Sequence, residues 1–331
     1  MHTRLRTTAL AVLGTACLMV TSSCAKHSYS DQYYLVATNI KLPYWQTANN
    51  GLMKAANQYG VKAELRGPDT FDPQAEVQEF ETVIARKPAG ILVSVADPAL
   101  MQPEIDKAIA ANIPVITIDS DSPNSHRLYF IGTNNLQAGR LGGQRVVEKL
   151  HGKGNVVFFG MPGQPNLDER LKGYKDAFAG SPGINIVQVV NIKGDSGNAF
   201  DNTQSMLGKT GKDKIDAFVC LEASAGKDVA EAIKRAHATD RELVAMDVDE
   251  ATLNLVKEGV IDATIGQKPF TMAYYGLKQV VELHENPLKQ LEKDYETDSF
   301  SPVPAFVDTG TTMVDKNNVD LFLRARQEAA Q

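Results

Sequence analysis

The chain has 331 residues, 43% of them hydrophobic, with 34 Lys and Arg against 40 Asp and Glu for a net charge of −6. So acidic a body is repelled by phosphate backbones, which excludes nucleic acid as a partner, and three cysteines in the arrangement found support neither a disulfide framework nor a zinc site. Roughly 300 residues exceed what one hydrophobic core sustains, so two halves are expected on size alone.

Arg4 and Arg6 precede an apolar, small-residue run from Ala9 to Val20, followed by Thr21-Ser22-Ser23-Cys24. This reads as a secretion leader over residues 1–23, since a twelve-residue run falls short of the roughly 20 residues a membrane span needs. Cys24 stands where a bacterial lipoprotein carries its lipidated cysteine, and residues 24–32 read as the tether. The expected location is the periplasmic or cell-surface side of a bacterial membrane, with a lipid anchor as the only membrane contact. Loss of Arg4 and Arg6 with the leader would make the mature chain more acidic still.

From Tyr33 onward, short β-rich runs alternate with segments of helical periodicity, the pattern of βαβ units and parallel sheets. Tyr33 to Thr38 reads as a strand, and Trp45, Ala48, Leu52, Ala55 and Tyr59 fall at helical spacing up to Gly60. Strands at 61–65, 90–95 and 115–119, with helices at 73–86 and 100–111 between them, complete a first series. Residues 129–132 then lead into a helix at 136–150. A second series has strands at 155–159, 184–190, 217–220, 243–246 and 263–265, and Asn166 with Glu169 has capping-box spacing at the start of one of its helices. Cys220 sits in an apolar strand and reads as an inert buried thiol. A long helix at 271–284, extended pieces at 303–307 and 311–314 and a last helix near 319–326 are too little for a third domain. The expected fold is therefore α/β, with two Rossmann-like halves. The N-terminal half takes 33–133 plus 268–299, and the C-terminal half takes 134–267 plus 300–331.

In open parallel sheets, ligands collect beyond the carboxyl ends of the strands. Asn39, Lys41, Ser94, Asp97, Asp119, Asp121, Asp247, Asp249 and Gln267 all fall there, although helix capping explains many Asp and Asn at such places. Tyr44 and the single tryptophan, Trp45, can present flat faces to a sugar ring, the alternative for Trp45 being a staple of its helix to the core.

Pro43-Tyr44-Trp45 with Gly51, Ile113 to Asp119, Ile131-Gly132-Thr133-Asn134-Asn135, Glu169 to Tyr174, Ala245-Met246-Asp247 and Gly259 to Gln267 occur in that order. In combination they resemble the type I periplasmic solute-binding proteins, in the ribose-binding branch. That resemblance implies two lobes joined by three crossings, near 133–135, 266–269 and 299–304, closing on a small molecule, a sugar by first choice, for delivery to an ABC transporter permease. It implies stacking by Tyr44 and Trp45, polar contacts from Asp119, Arg170, Asp247 and Gln267, and further wall positions at Ser94 and Thr133. Arg170 is expected in the first turn of its helix, where a purely structural arginine would oppose the helix dipole. Leu42, Ser120, Leu221-Glu222 and Gly194 depart from the ribose pattern, pointing to a larger or differently hydroxylated sugar, with Glu222 supplying one replacement contact. No cofactor or metal is implied, and a monomer is expected.

A receptor of this fold for a quorum signal or nucleoside, or one presenting its closed form to a membrane sensor, is the alternative. A sugar-responsive repressor lobe is set aside by the leader and by the lack of a helix-turn-helix ahead of Tyr33. An enzyme is disfavoured because no Gly-x-Ser-x-Gly elbow, His-Glu-x-x-His or phosphate loop occurs. The Gly194 to Asn198 and Asp315 to Asp320 stretches lack the spacing and terminal Glu of a calcium loop and read as surface turns.

Overall fold

The computed structural model describes residues 31–329; the leader and Cys24 lie outside them. In chain order the elements are β1 (Gln32–Val36), α1 (Pro43–Tyr59), β2 (Lys62–Arg66), α2 (Pro73–Ala85), β3 (Gly90–Val93), α3 (Pro98–Ala110), β4 (Val115–Ile118), β5 (Phe130–Gly132) and α4 (Asn135–Lys149). Then follow β6 (Lys153–Gly160), α5 (Pro165–Phe178), β7 (Gly183–Asn191), α6 (Ser196–Leu207), β8 (Ala217–Cys220), α7 (Ala225–Arg235), β9 (Glu242–Met246), α8 (Glu250–Glu258), β10 (Ala263–Gly266), α9 (Pro269–Glu285), β11 (Phe306–Asp308), β12 (Thr312–Asp315) and α10 (Val319–Ala329).

These strands form two six-stranded sheets, ordered β2-β1-β3-β4-β5-β11 and β7-β6-β8-β9-β10-β12. Every neighbouring pair is parallel except β10 with β12. The two orders are equivalent, so β4 in the first sheet corresponds to β9 in the second. Central strands β3, β4, β8 and β10 are wholly buried, as parallel strands covered by helices on both faces must be. One apolar core runs through the first half, and two larger clusters and one small one, Ala138 with Met246 and Ile265, lie about the second sheet. Because the strands run parallel, each sheet presents its carboxyl-end loops along one edge.

The helix pair α4 and α5 crosses unusually closely. A β-carbon on Gly139 would stand 2.0 Å from the Arg170 carbonyl oxygen, and one on Gly173 would stand 2.2 Å from that of Leu136. Glycine is therefore the residue that lets α5, and with it Arg170, reach its depth. The helix begins at Pro165, with Gln164 as its N-cap and no side-chain cap. Asn166 thus lies inside the first turn and the expected capping box does not form; the Asp168 carboxylate instead accepts from the Gly163 amide at 3.0 Å. Arg170 falls in the second turn rather than the first, which removes the dipole reason for giving it a ligand role.

The chain crosses between halves three times, at 133–134, 267–268 and 309–311. The third crossing corrects the sequence-based expectation of 299–304. β11 pairs with β5 of the first sheet, Phe306 opposite Phe130, so residues up to Asp308 build the first half rather than the second. Extended character in this stretch was visible in the sequence, but the choice of sheet is made by the exposed edge of β5 and by stacking of Phe306 on Phe130, 5.3 Å between ring centroids. Thr309 donates to the Gly132 carbonyl from its amide at 2.8 Å and its hydroxyl at 3.0 Å, and Thr311 donates to the Gly266 carbonyl at 2.9 Å.

Candidate functional site

Asp119 and Asp247 occupy equivalent places in the two halves, immediately after β4 and β9. Each donates its amide to the neighbouring strand, to Ile131 and Ile265 respectively. Each adopts the left-handed conformation, with φ of 63° and 73°, which Asp tolerates better than most residues but which still costs on the order of 1 kcal/mol or more. Strain repeated at matched positions, in two buried carboxylates, marks the facing strand ends as a constructed site.

Around Asp119, the Tyr44 hydroxyl donates to Oδ1 at 2.7 Å and the Ser94 hydroxyl to Oδ2 at 3.1 Å. Around Asp247, Gln267 donates through Nε2 at 3.0 Å, while its Oε1 accepts from Arg170 Nη2 and from the Thr133 hydroxyl, each at 2.8 Å. Arg170, 2% exposed, uses its remaining directions on Asn135 Oδ1 at 2.9 Å and the Leu221 carbonyl at 2.8 Å. Each of its three nitrogens donates to a neutral acceptor, and its charge acts on the carboxylates through space.

Trp45 and Tyr44 meet edge to face, centroids 5.1 Å apart, and both line a cavity of about 50 Å³ together with Asp119, Arg170, Glu222, Asp247 and Gln267. Trp45 also belongs to the first-half core, so the wall and the staple are the same residue. Room for a few waters lies far below the roughly 300 Å³ at which small-molecule pockets begin. The two walls must part for a solute to enter.

Six of the residues expected to meet a ligand, Tyr44, Trp45, Asp119, Arg170, Asp247 and Gln267, thus converge. Ser94 and Thr133 do not line the cavity; they stand behind it and orient Asp119 and Gln267. Glu222 lines it, yet both its oxygens already accept amides, from Ser224 and Ala225 at 2.7 Å each, which caps the start of α7. Asp97 and Asp249 cap α3 and α8. Asp121 pairs with Arg127 at 2.7 Å, and Lys41 faces solvent beside Asp69.

Sequence reasoning missed Phe71, which lines the cavity from the loop after β2. It lies against Gly194 of the opposite half, where an added β-carbon would come within 2.4 Å of the Phe71 β-carbon. The glycine, left-handed at φ 74°, leaves the space that this ring enters. An aromatic set among turn residues Asp69, Thr70, Asp72 and Pro73 at a strand's carboxyl end was the available signal. Also missed was Gln164, which lines the cavity and whose buried Oε1 accepts no hydrogen bond among the described residues.

Burial pushes the Asp247 carboxyl up to about 7, against the pull of Arg170 and Gln267 and with a further push from Asp119 and Asp249. Burial likewise raises Asp119 against Arg170, Tyr44 and Ser94, and Glu222 against the amides it caps. Parting the walls rehydrates Asp247 and returns it toward its ordinary value of about 3.9, so the closed form holds the extra proton between about pH 4 and 7. Linkage then makes closure of the ligand-free protein weaken as pH rises through that interval and level off above it. Small-angle scattering at pH 5 and pH 8 should show the more compact particle at pH 5, with Asp247→Asn reducing the difference; a larger radius at pH 5 would contradict this.

No group of three His, Cys, Asp or Glu among the described residues is placed to hold a metal ion. No described helix is long and apolar enough to cross a membrane.

Residues 33–286 match the family model described as a periplasmic binding protein domain. The chain is 23% identical over 269 residues to the ribose import binding protein of Haemophilus influenzae, covering 81% of this chain and 90% of that one. Among solved structures, a sugar ABC transporter sugar-binding protein from Bacillus halodurans is 32% identical with a TM-score of 0.75, covering 88% of this chain and 100% of that one. The arabinose binding protein AraP from Geobacillus stearothermophilus is 33% identical with a TM-score of 0.72, covering 88% and 99%.

Proposed function

Because the chain belongs to the periplasmic binding protein family, a family of solute receptors rather than enzymes, we propose that it is the extracytoplasmic substrate-binding component of an ABC importer, closing on a simple sugar or related polyol. Two matched left-handed aspartates, one from each half, flanking a guanidinium fork beneath an aromatic wall, are the observation that carries this. Asp accepts hydroxyl hydrogen bonds, Gln both donates and accepts, and an aromatic face covers the C–H side of a ring. The relatives named above for ribose, sugar and arabinose fit the same chemistry.

Three buried carboxylates, Asp119, Glu222 and Asp247, share the cleft with one buried guanidinium. An anionic ligand would face three carboxyl groups against one guanidinium, with no further cation in the cavity lining to pair it, so the ligand is a neutral polyol rather than a sugar acid or phosphate. Bridging both walls, it shifts the population toward the closed form about the three crossings, and that form is what the permease engages. Cys24 is taken as the lipid attachment point on the strength of the leader sequence; a Cys24→Ser chain should leave the membrane fraction.

A thermal-shift panel of pentoses, hexoses, polyols and their acid and phosphate derivatives tests the ligand. A neutral sugar at 1,000 times its Kd stabilises the folded state by about 4 kcal/mol, a rise on the order of 10 °C for a chain of this size. Silence across all neutral sugars and polyols would remove the proposal, and preference for the anionic derivatives would reverse its charge argument.

A further inference from the structure

A second void of about 220 Å³ lies beside the cleft and shares Leu42, Tyr44, Ala223, Asp247 and Gln267 with it. It is several times larger than the cleft cavity, and the two together approach the roughly 300 Å³ of a small-ligand pocket. One wall is made by the N-terminal ends of α1 and α9, through Thr47, Phe270 and Thr271, and the other by Val248, Lys227 and Arg326 of the second half.

The chemistry of this chamber differs from that of the cleft. Asp249 spends its carboxylate on the amide and hydroxyl of Thr252, and Arg326 donates to the Val248 carbonyl at 3.2 Å. Lys227 is exposed at the rim and makes no hydrogen bond or ion pair among the described residues. Most of the surface the chamber offers is nevertheless carbon, from Leu42, Pro43, Val248, Pro269 and Phe270, interrupted by the exposed Lys268 and by Thr47, Ser224 and Thr271. Such walls reward a flat, weakly polar ring and give a fully hydroxylated one few partners.

We propose that the ligand is a two-ring glycoside: a sugar held between the two aspartates, whose anomeric substituent is a flat, weakly polar ring seated in the side chamber. The proposal rests on the solute-receptor reading and narrows its ligand class. It also gives Tyr44 and Gln267 a double use, since both stand at the junction and touch each compartment.

The test compares D-ribose, D-xylose, D-arabinose and D-glucose with the phenyl glycoside of each, by calorimetric titration of the full mature chain. At least one phenyl glycoside should bind ten-fold or more tightly than its free sugar. Thr271→Trp and Thr47→Trp each fill the chamber from a helix surface outside the cleft cavity. They should lower that glycoside to the affinity of its free sugar while leaving free-sugar binding unchanged, which also serves as the control for folding. Free sugars binding as tightly as every phenyl glycoside, or an advantage that survives both tryptophan substitutions, would overturn the proposal while leaving the sugar-receptor reading intact. Binding of neither set would remove that reading and this inference with it.

Discussion

Arg170→Ala should lower the melting temperature by on the order of 10 °C and weaken sugar binding at least 100-fold. Arg170 is the buried cation shared by Asp119, Glu222 and Asp247, and each of these carboxyls is pulled down by it. Removing one partner from a buried charged set costs about 3–5 kcal/mol, which for a chain of this length corresponds to a shift of that size. The side chain also fixes Gln267, Asn135 and the Leu221 carbonyl in three directions at once. Lysine has no planar fork, so Arg170→Lys should recover part of the stability and little of the binding. A calorimetric melting point within 2 °C of the parent would refute the charge argument.

The second large effect is expected at Trp45, which is 3% exposed. Truncation to alanine empties part of the first-half core as well as the cavity wall, at about 3–5 kcal/mol of stability, and should abolish sugar binding. Trp45→Phe separates the two roles, because it keeps an aromatic edge against Tyr44 and most of the buried volume. It should melt within a few degrees of the parent yet bind sugar roughly ten-fold more weakly through its smaller face. Unaltered affinity in the phenylalanine variant would return Trp45 to a purely structural part.

Much of this architecture was legible in the chain itself. Alternation of strand and helix periods gave both sheets, and polar residues at strand ends gave Asp119, Asp247 and Gln267, because a parallel sheet sends all its carboxyl ends to one side. What escaped depends on contacts between distant segments. Asp97, Asp119, Asp121 and Asp249 look alike in sequence, yet only Asp119 is turned into the cavity by a left-handed backbone, while the other three cap helices or pair with arginine. Ser94 and Thr133 were placed in the wall when they stand behind it, a distinction of one side-chain layer that periodicity does not encode. Phe71 escaped because its partner is a glycine more than a hundred residues away, and β11 because an edge strand is claimed by whichever sheet offers the open edge.

The lacing of the three crossings has a dynamic consequence. Thr309 is tied to the carbonyl at the end of β5 and Thr311 to the carbonyl at the end of β10. The three connectors therefore bend as one ribbon, with little freedom to shear or to twist independently. Such lacing favours opening and closing along a single angular coordinate, so at saturating solute the closing phase in fluorescence transients should follow one exponential rather than several.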